Sequence, residues 1–542
     1  MLRRSARRVE VDTLDVPIQP LPPVTVEGGW QTLPEDPTPV QLHVVTDQPW
    51  DVPADVLVIP IAAVPVFEGP LGELDRRAGG ELQALVAFGE LSGKRYSTAL
   101  AAAGEGSVGR LLAVGLGDPS ELTRESVVRV AAAAERRLGG RTVRRLAVWL
   151  GPLADAIEGG ASAAAELVAR GVVEGSYDPR SIYRDTVEAA PPILDELVLI
   201  APGADAAALS RAAERGVVMA EGANFARTLS NRASNDVSPE VLANEARAVA
   251  ERHGLWIDVI EPDRATALGM GMFMAVGRGS DNPPRMIVMR SGAEGERDAL
   301  DRHLAIVGKG VCFDSGGISI KPAERMDEMK LDKTGACTVI AAIETVARLA
   351  PGTPLLAVAP TVENMPGPHS TRPGDIVTAL NGKKVDITNT DAEGRLILGD
   401  ALTYAERLGA THLVDTATLT GAVSRALGHL VTGAFGSSQG FYDEVMAAAD
   451  RAGERYWQLP LIDDYVPDME SWSGDIQNSG SSEGSLVKSG LFIREFVTKP
   501  WVHLDIAGTG YYRKALPFAA RGATGVSQAT LVELALAGAR AG

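Results

Sequence analysis

Two glycine-rich stretches carry most of the clustered acidic and basic side chains of this sequence. The first reads VGKGVCFDSGG over residues 307–317, and the second reads NTDAEGRL over residues 389–396. The charged residues lie beside glycines in short turns, each just after an apolar run or just before a helical one. This pattern predicts polar groups presented at the ends of strands rather than on solvated faces.

The charged residues of this region form a set suited to metal-assisted hydrolysis. Carboxylate oxygens are hard ligands for divalent cations, and two cations about 3.5–4 Å apart need carboxylates that bridge them. A lysine could be charged and hydrogen-bond an oxygen that becomes negative, or neutral and donate its lone pair to a metal. An arginine could hold an anion or a developing charge. The set is Asp314, Asp332, Asp391 and Glu393 with Lys309, Lys321 and Arg395.

Each of these segments, taken singly, has an ordinary structural explanation. The Asp-Ser-Gly-Gly sequence at 314–317 is typical of a turn, and acids such as Asp391 and Glu393 favour the N-terminus of a helix. Lys309 and Lys321 alone would be surface lysines. The occurrence of all these pieces in order within one region favours the functional explanation.

The same segments resemble the leucyl (cytosol) aminopeptidase family of two-metal exopeptidases. The likeness rests on the segment from Val307 to Pro322, on ENMP at 363–366, on RPGD at 372–375 and above all on NTDAEGRL, the signature of that family. It extends from about residue 215 to the C-terminus, and more weakly over the N-terminal part.

The resemblance implies roles for the acids and for the arginine. Asp314 and Glu393 would bridge two divalent ions, zinc or manganese, and Asp391 would complete one of the two sites. A water or hydroxide held between the ions would attack the peptide carbonyl. Arg395 would be catalytic, holding a bicarbonate that acts as general base.

The two lysines can be assigned in two ways. In the first, Lys309 is a metal ligand beside the four acids, while Lys321 is catalytic and binds substrate. In the second, Lys321 is an unprotonated ligand that completes the tighter site with Asp332, while Lys309 stays charged and faces the developing oxyanion. Both assignments keep one neutral and one charged lysine.

The resemblance also implies a site for a peptide with a free amino terminus. Such an amine could bind one metal and hydrogen-bond Asp332 only if no residue precedes it, so internal peptide bonds would be refused. An apolar pocket for the first side chain would favour Leu or Met, although Lys333, Lys488 and Tyr511 depart from the family pattern. The substrate-binding positions, besides Lys321, are Asn389, Met329, Thr418, Leu419, Gly421 and Ala507.

Length, charge and cysteine content restrict the class of protein. A chain of 542 residues predicts more than one domain. The formal net charge of −18 argues against a nucleic-acid partner and against an anionic membrane surface. No apolar run follows the basic N-terminus, and the two cysteines fit a reducing compartment. We therefore expect a cytoplasmic protein without a membrane or nucleic-acid partner.

The alternation of apolar strands and helical stretches predicts an α/β protein of two domains. We expect a loosely ordered tail over 1–38, a smaller N-terminal α/β domain similar to a macro domain over 39–203, and a linker helix over 204–228. Residues 229–542 would form the larger catalytic α/β domain, with a central mixed sheet covered by helices. The resemblance adds a homohexamer that acts on short peptides.

Two alternative functions and one false signal accompany the aminopeptidase hypothesis. A two-metal phosphoesterase could use the same acids, but only Arg395 and the two lysines could hold its phosphate. A non-catalytic DNA-binding or assembly role conflicts with the acidic charge and the intact ligand set. Two Gly-x-Ser-x-Gly segments, 436–440 and 480–484, match serine hydrolases, but we expect no helix directly after either and no nucleophile there. We expect His503 to be a core histidine.

Overall fold

Two mixed sheets, each flanked by helices, organise the protein. A computed structural model describes residues 40–104 and 106–540, so the tail predicted over 1–38 lies outside the described residues. The N-terminal part forms a six-stranded sheet and the C-terminal part a nine-stranded sheet. The predicted α/β class, with a smaller N-terminal and a larger C-terminal domain around mixed sheets, is confirmed.

The N-terminal sheet is parallel except at one edge. Its order is β1-β6-β5-β2-β4-β3, and only β3 runs antiparallel to its neighbour. The strands are β1 (Gln41–Val45), β2 (Ala54–Ala62), β3 (Thr98–Ala102), β4 (Val108–Gly117), β5 (Arg145–Trp149) and β6 (Glu196–Ile200). The helices are α1 (Gly69–Arg77), α2 (Glu81–Phe88), α3 (Arg124–Arg137), α4 (Gly151–Ala154) and α5 (Gly160–Gly175). Alternate residues of the central strand β2 belong to two different apolar cores, so the sheet is covered on both faces.

A long helix, α6 (Ala206–Asn231), follows the N-terminal sheet and packs on both parts of the chain. The Asp205 side chain caps its N-terminus by accepting two backbone N–H bonds. A Cβ at Gly216 would lie 2.1 Å from the Glu166 carbonyl oxygen, and one at Gly222 would lie 2.1 Å from Thr345 Oγ1. The absence of these side chains therefore permits close packing on both sides. The division of the chain into an N-terminal domain (39–203), a linker helix (204–228) and a catalytic domain (229–542) stays a proposal.

The C-terminal sheet has the order β16-β15-β18-β14-β9-β11-β8-β7, with β10 added to β11. Its strands are β7 (Trp256–Ile260), β8 (Arg285–Ser291), β9 (Leu304–Gly308), β10 (Gly310–Asp314), β11 (Leu355–Asn364), β14 (His412–Ala417), β15 (Thr432–Gly436), β16 (Tyr456–Gln458) and β18 (Trp501–Asp505). Shorter strands form two small sheets: β12 (Asp375–Thr378), β13 (Lys384–Ile387) and β17 (Ile476–Gln477), and β19 (Tyr511–Tyr512) with β20 (Gly522–Ala523).

Helices cover both faces of this sheet. Side chains of β9 alternate between two cores: Ile306 packs with α10, and Val307 packs with α11. The helices are α7 (Pro239–His253), α8 (Pro262–Leu268), α9 (Gly271–Gly277), α10 (Thr334–Leu349), α11 (Gly394–Arg407), α12 (Gly421–Leu427), α13 (Gln439–Ala452), α14 (Ser485–Arg494) and α15 (Gln528–Arg540). Within the described ranges, no helix is both long and apolar enough to cross a membrane.

The topology brings several loops to one edge of the sheet. Strands β9, β14 and β18 are parallel neighbours, so their carboxyl ends lie side by side. The loops that leave these ends begin at Lys309, Thr418 and Ile506. Because binding sites of open α/β sheets lie outside the carboxyl ends of the strands, this edge is the expected place for a site.

Candidate metal centre

The charged residues of the two glycine-rich stretches meet at this edge. Lys309 stands between β9 and β10, and Asp314 ends β10. Asp332 belongs to a 3-10 helix, Met326–Lys333, directly before α10, whereas Asp391 and Glu393 occupy the turn before α11. Gly394 is needed here, because a Cβ at this position would lie 2.7 Å from Lys309 Nζ.

Three carboxylates form the centre of the cluster. Asp314, Asp332 and Glu393 are buried, and each offers an oxygen within 4.8 Å of the others. Lys309 Nζ lies 2.9 Å from Asp332 Oδ2 and 2.8 Å from Glu393 Oε1. Lys321 Nζ lies 2.7 Å from Asp314 Oδ2 and also pairs with Asp391. The four predicted acids and both lysines are therefore in one ionic network.

Polar neighbours fix the orientation of the carboxylates. Asp314 Oδ1 accepts hydrogen bonds from the Asn364 side chain at 2.8 Å and from the Gly316 N–H at 2.9 Å. Thr418 Oγ1 donates to Asp332 Oδ1 at 2.6 Å, and Lys309 Nζ donates to the Thr418 carbonyl at 2.9 Å. The geometry of the cluster is therefore set before any ligand binds.

Burial and mutual repulsion change the acidity of these groups. Burial, together with the charges of Glu393 and Asp332, raises the pKa of Asp314 to about 8. Burial raises the pKa of Asp332 to about 6 and also raises the pKa of Asp391. Burial opposes ionisation of Glu393 too, but Lys309 and Lys321 outweigh it and lower the pKa of Glu393. The raised pKa values mean that full ionisation of these carboxylates is unfavourable unless additional positive charge lies nearby.

The two lysines supply that charge in the absence of other cations. Burial disfavours their protonated forms, but the neighbouring carboxylates outweigh burial and raise the pKa of both Lys309 and Lys321. Buried carboxylate oxygens that are close enough to share one cation are the donors that divalent cations prefer. The residues present therefore fit a divalent metal ion.

The placement of the lysines distinguishes the two assignments made from the sequence. Lys309 lies beside Asp332 and Glu393, whereas Lys321 lies beside Asp314 and Asp391. Lys321 contacts Asp314 and Asp391 rather than Asp332, so the assignment that pairs Lys321 with Asp332 is less well supported and stays a prediction. The assignment of Lys309 to the ligand set and Lys321 to catalysis is compatible with the geometry.

Arg395 lies on the first turn of α11 next to this network. Its Nη1 donates to the Asn478 carbonyl at 2.8 Å, and its Nε has no hydrogen-bond partner within the described ranges. Burial lowers the pKa of Arg395 to about 10, so the guanidinium is still charged at neutral pH. A partly buried cation with a free N–H group can hold an anion.

The predicted substrate positions lie on the neighbouring strand ends. The Asp505 carboxylate, missed in the sequence, accepts from the Leu419 N–H and the Ala507 N–H at 3.2 Å each. It thereby ties together the loops after β14 and β18. Thr418 contacts the cluster directly through Asp332, and Asn389 Oδ1 accepts from the Asp391 N–H at 2.9 Å.

Two of the predicted pocket residues, Met329 and Gly421, belong to helical elements near the cluster. Met329 lies three residues before Asp332 in the same 3-10 helix. Gly421 begins α12, directly after the capping residue Thr420. Met329 therefore shares a helix with a residue of the cluster, and Gly421 lies three residues after Thr418, which contacts Asp332.

The serine motifs have a different local structure from the one expected. Helix α13 begins at Gln439, one residue after Ser438, and α14 begins at Ser485, directly after Gly484. The expectation that no helix follows them is wrong, because short polar starts concealed both helices. In the described part of the chain no histidine hydrogen-bonds to Ser438 or Ser482. His503 is buried against Asp415, with Nδ1 2.6 Å from Oδ1, as expected of a core histidine.

The α/β fold and the buried cluster fit a metal-dependent hydrolase. Comparison with known families agrees. The family model described as "Cytosol aminopeptidase family, catalytic domain" matches residues 224–532, and the model of the N-terminal domain of the same family matches residues 63–180. The chain belongs to the cytosol aminopeptidase family, as the resemblance of its motifs predicted.

Relatives along the whole chain support this membership. A probable cytosol aminopeptidase of Solibacter usitatus is 42% identical over 90% of this chain and 97% of its own. One from Geobacter sp. (strain M21) is 39% identical over 91% of this chain and 99% of its own. The family is metal-dependent, so these relatives also agree with the donor set.

Solved structures show the same fold. A mutant of tomato leucine aminopeptidase superimposes with a TM-score of 0.83 at 30% identity, covering 93% of this chain and 98% of that one. The bottromycin maturation enzyme BotP, in complex with Mn, gives a TM-score of 0.76 at 32% identity, covering 89% and 99%.

Metal binding should release protons from this cluster. With a pKa of about 8, Asp314 is mostly protonated at pH 7, and a cation must displace that proton. We expect Mn²⁺ affinity to rise between about pH 7 and about pH 9, one unit on either side of this pKa. Calorimetry in buffers of different ionisation enthalpy counts the protons released.

The variants Asp314→Asn and Asp464→Asn provide the comparison. Asp314→Asn should bind Mn²⁺ more weakly and release fewer protons, whereas Asp464 is exposed and its variant should match the wild type. A pH-independent affinity, or equal proton release by all three proteins, would contradict the assignment.

Proposed function

We propose that the protein is an aminopeptidase that uses two divalent ions, zinc or manganese, to release Leu and other apolar residues from the N-termini of short peptides. The observation that carries the proposal is the group of three buried carboxylates within 4.8 Å of one another. Asp314, Asp332, Asp391, Glu393 and Lys309 would hold the ions, which supply a nucleophilic water at neutral pH and polarise the peptide carbonyl.

The two lysines take different roles in this proposal. Lys309, 3% exposed and between two acids, would give up its proton on joining the ligand set, since adjacent dications favour the neutral amine. Lys321 is more accessible, with 21% of its side chain exposed, and can stay charged. It would hydrogen-bond the carbonyl oxygen of the substrate as negative charge develops there.

Arg395 supplies the remaining positive charge. Its free Nε and its partly buried position support the binding of a small anion, and we propose a bicarbonate that accepts a proton from the attacking water. Held at a charged guanidinium, the bicarbonate would act as a general base without a histidine.

The neighbouring loops account for the choice of substrate. A peptide would lie along Asn389 and Leu419, with its first side chain among Met329, Thr418, Gly421 and Ala507. The link from Asp505 to Leu419 and Ala507 supports this arrangement, because it joins two of the segments that would contact the substrate. A phosphoesterase is less well supported, because both lysines are already paired with acids.

We also propose a cytoplasmic homohexamer. The resemblance supports the hexamer, and several large apolar side chains, such as Trp472 and Trp457, are exposed and could be covered by other copies. Sedimentation equilibrium of the full chain should give six times the chain mass. A monomer or dimer at micromolar concentration would contradict the proposed assembly without affecting the proposed chemistry.

Hydrolysis of Leu-p-nitroanilide tests the proposed reaction. Chelator-stripped protein should be inactive, and Mn²⁺ or Zn²⁺ should restore activity. Glu393→Gln should lower kcat by at least about 100-fold, since it removes a proposed ligand carboxylate. The control Glu324→Gln changes a glutamate that is exposed and should keep full activity. N-acetyl-Leu-p-nitroanilide should not be cleaved; equal cleavage of both substrates, or metal-independent activity, would contradict the proposal.

A further inference from the structure

Asn478 is buried behind the loop that precedes α11, and none of the sequence motifs pointed to it. It follows β17, which pairs in parallel with β13 through Val385 and Asp386. Because β13 leads directly into residues 388–393, this pairing places Asn478 against the turn that carries Asp391 and Glu393. Its exposed fraction is 1%.

The Asn478 side chain uses both ends of its amide on this turn. Its Oδ1 accepts from the Thr388 N–H at 3.0 Å and from the Asn389 N–H at 3.2 Å. Its Nδ2 donates to the Asn389 carbonyl at 2.7 Å and to the Ala392 carbonyl at 3.3 Å. These four bonds fix the backbone from Thr388 to Ala392, the residue between Asp391 and Glu393.

The main chain of Asn478 reaches a second group of the site. Its carbonyl accepts from Arg395 Nη1 at 2.8 Å, and its N–H donates to the Asp386 carbonyl at 2.9 Å. Asn389 in turn accepts from the Asp391 N–H through its side chain. One residue is therefore bonded both to the acidic turn and to the guanidinium beside it.

Asn364 offers a comparison on the other side of the cluster. Its Nδ2 donates to Asp314 Oδ1 at 2.8 Å and to the Thr390 carbonyl at 3.0 Å. Asn364 thus orients a carboxylate directly, whereas Asn478 acts on the backbone and on Arg395. A carboxamide accepts through its oxygen and donates two N–H groups through its nitrogen, so at one buried position it can accept from N–H groups and donate to carbonyls.

We propose that Asn478 is a positioning residue that sets Arg395 and the 389–393 turn in register with the carboxylate cluster. This inference rests on the proposed function, which gives that turn and Arg395 their roles. Outer-shell partners of this kind typically change metal affinity or activity by about 10–100-fold when they are altered.

The test compares Asn478→Asp with Asn244→Asp. Asn478→Asp keeps the accepting oxygen but turns a carboxylate oxygen toward two carbonyls. Asn244→Asp makes the same chemical change on α7, where the Asn244 side chain accepts a hydrogen bond from Arg247. Mn²⁺ affinity is measured by calorimetry, and kcat on Leu-p-nitroanilide at saturating Mn²⁺. We expect Asn478→Asp to lose about tenfold in affinity and about 10–100-fold in kcat, and Asn244→Asp to match the wild type.

A double-mutant cycle with Arg395→Ala separates positioning from general damage. If Asn478 acts in part through Arg395, its substitution should lower kcat by a smaller factor once Arg395 is absent. The same factor in both backgrounds, or wild-type affinity and kcat in Asn478→Asp, would overturn the inference. Circular dichroism checks folding, and Asn478→Ser, which replaces the amide with a shorter hydroxyl and adds no charge, is judged by the same criteria if Asn478→Asp does not fold.

Calorimetry distinguishes a failure of the proposed function from a failure of the inference about Asn478. If the wild type binds Mn²⁺ but cleaves no peptide, the proposed function fails, and the affinity of Asn478→Asp still decides whether this residue positions the turn. If the wild type is active and Asn478→Asp equals it in both measurements, only the inference about Asn478 fails.

Discussion

The repulsion among buried carboxylates is the constraint on which the catalytic half of this protein depends. Asp314, Asp332 and Glu393 lie within 4.8 Å of one another in a buried site, where like charges interact strongly. Lys309 compensates the charge beside Glu393, and Lys321 compensates it beside Asp314. Such an arrangement is costly for stability alone, and it is consistent with a site kept for binding cations.

The fold supplies what this cluster requires. Parallel strands deliver Lys309 and Thr418 to one edge of the sheet, and the 3-10 helix before α10 brings Asp332 to the same edge. Glycines such as Gly394 leave the space that the lysine side chain occupies. Buried amides then hold the turns, with Asn364 on Asp314 and Asn478 on the segment before α11. The site is therefore rigid where the proposed chemistry needs fixed geometry.

Local sequence predicted the parts of this structure that local physics determines. The stretch 334–349 is apolar with helical periodicity and forms α10 over the same residues. Strand β10 was not predicted, because Gly310 and the charged residues at its ends interrupt the apolar run. The partners of the lysines and the role of Asn478 could not be predicted either. Asn478 bonds to residues at least 83 positions away, and only the sheet pairing brings them together.

The measurement that tests the account most directly is anomalous X-ray diffraction from crystals of the Mn²⁺-loaded protein. The account predicts two manganese peaks per chain inside the cluster, both next to Asp314 and Glu393, and the loss of at least one peak in Glu393→Gln. An empty cluster at saturating Mn²⁺, or manganese bound only at other carboxylates, would contradict it.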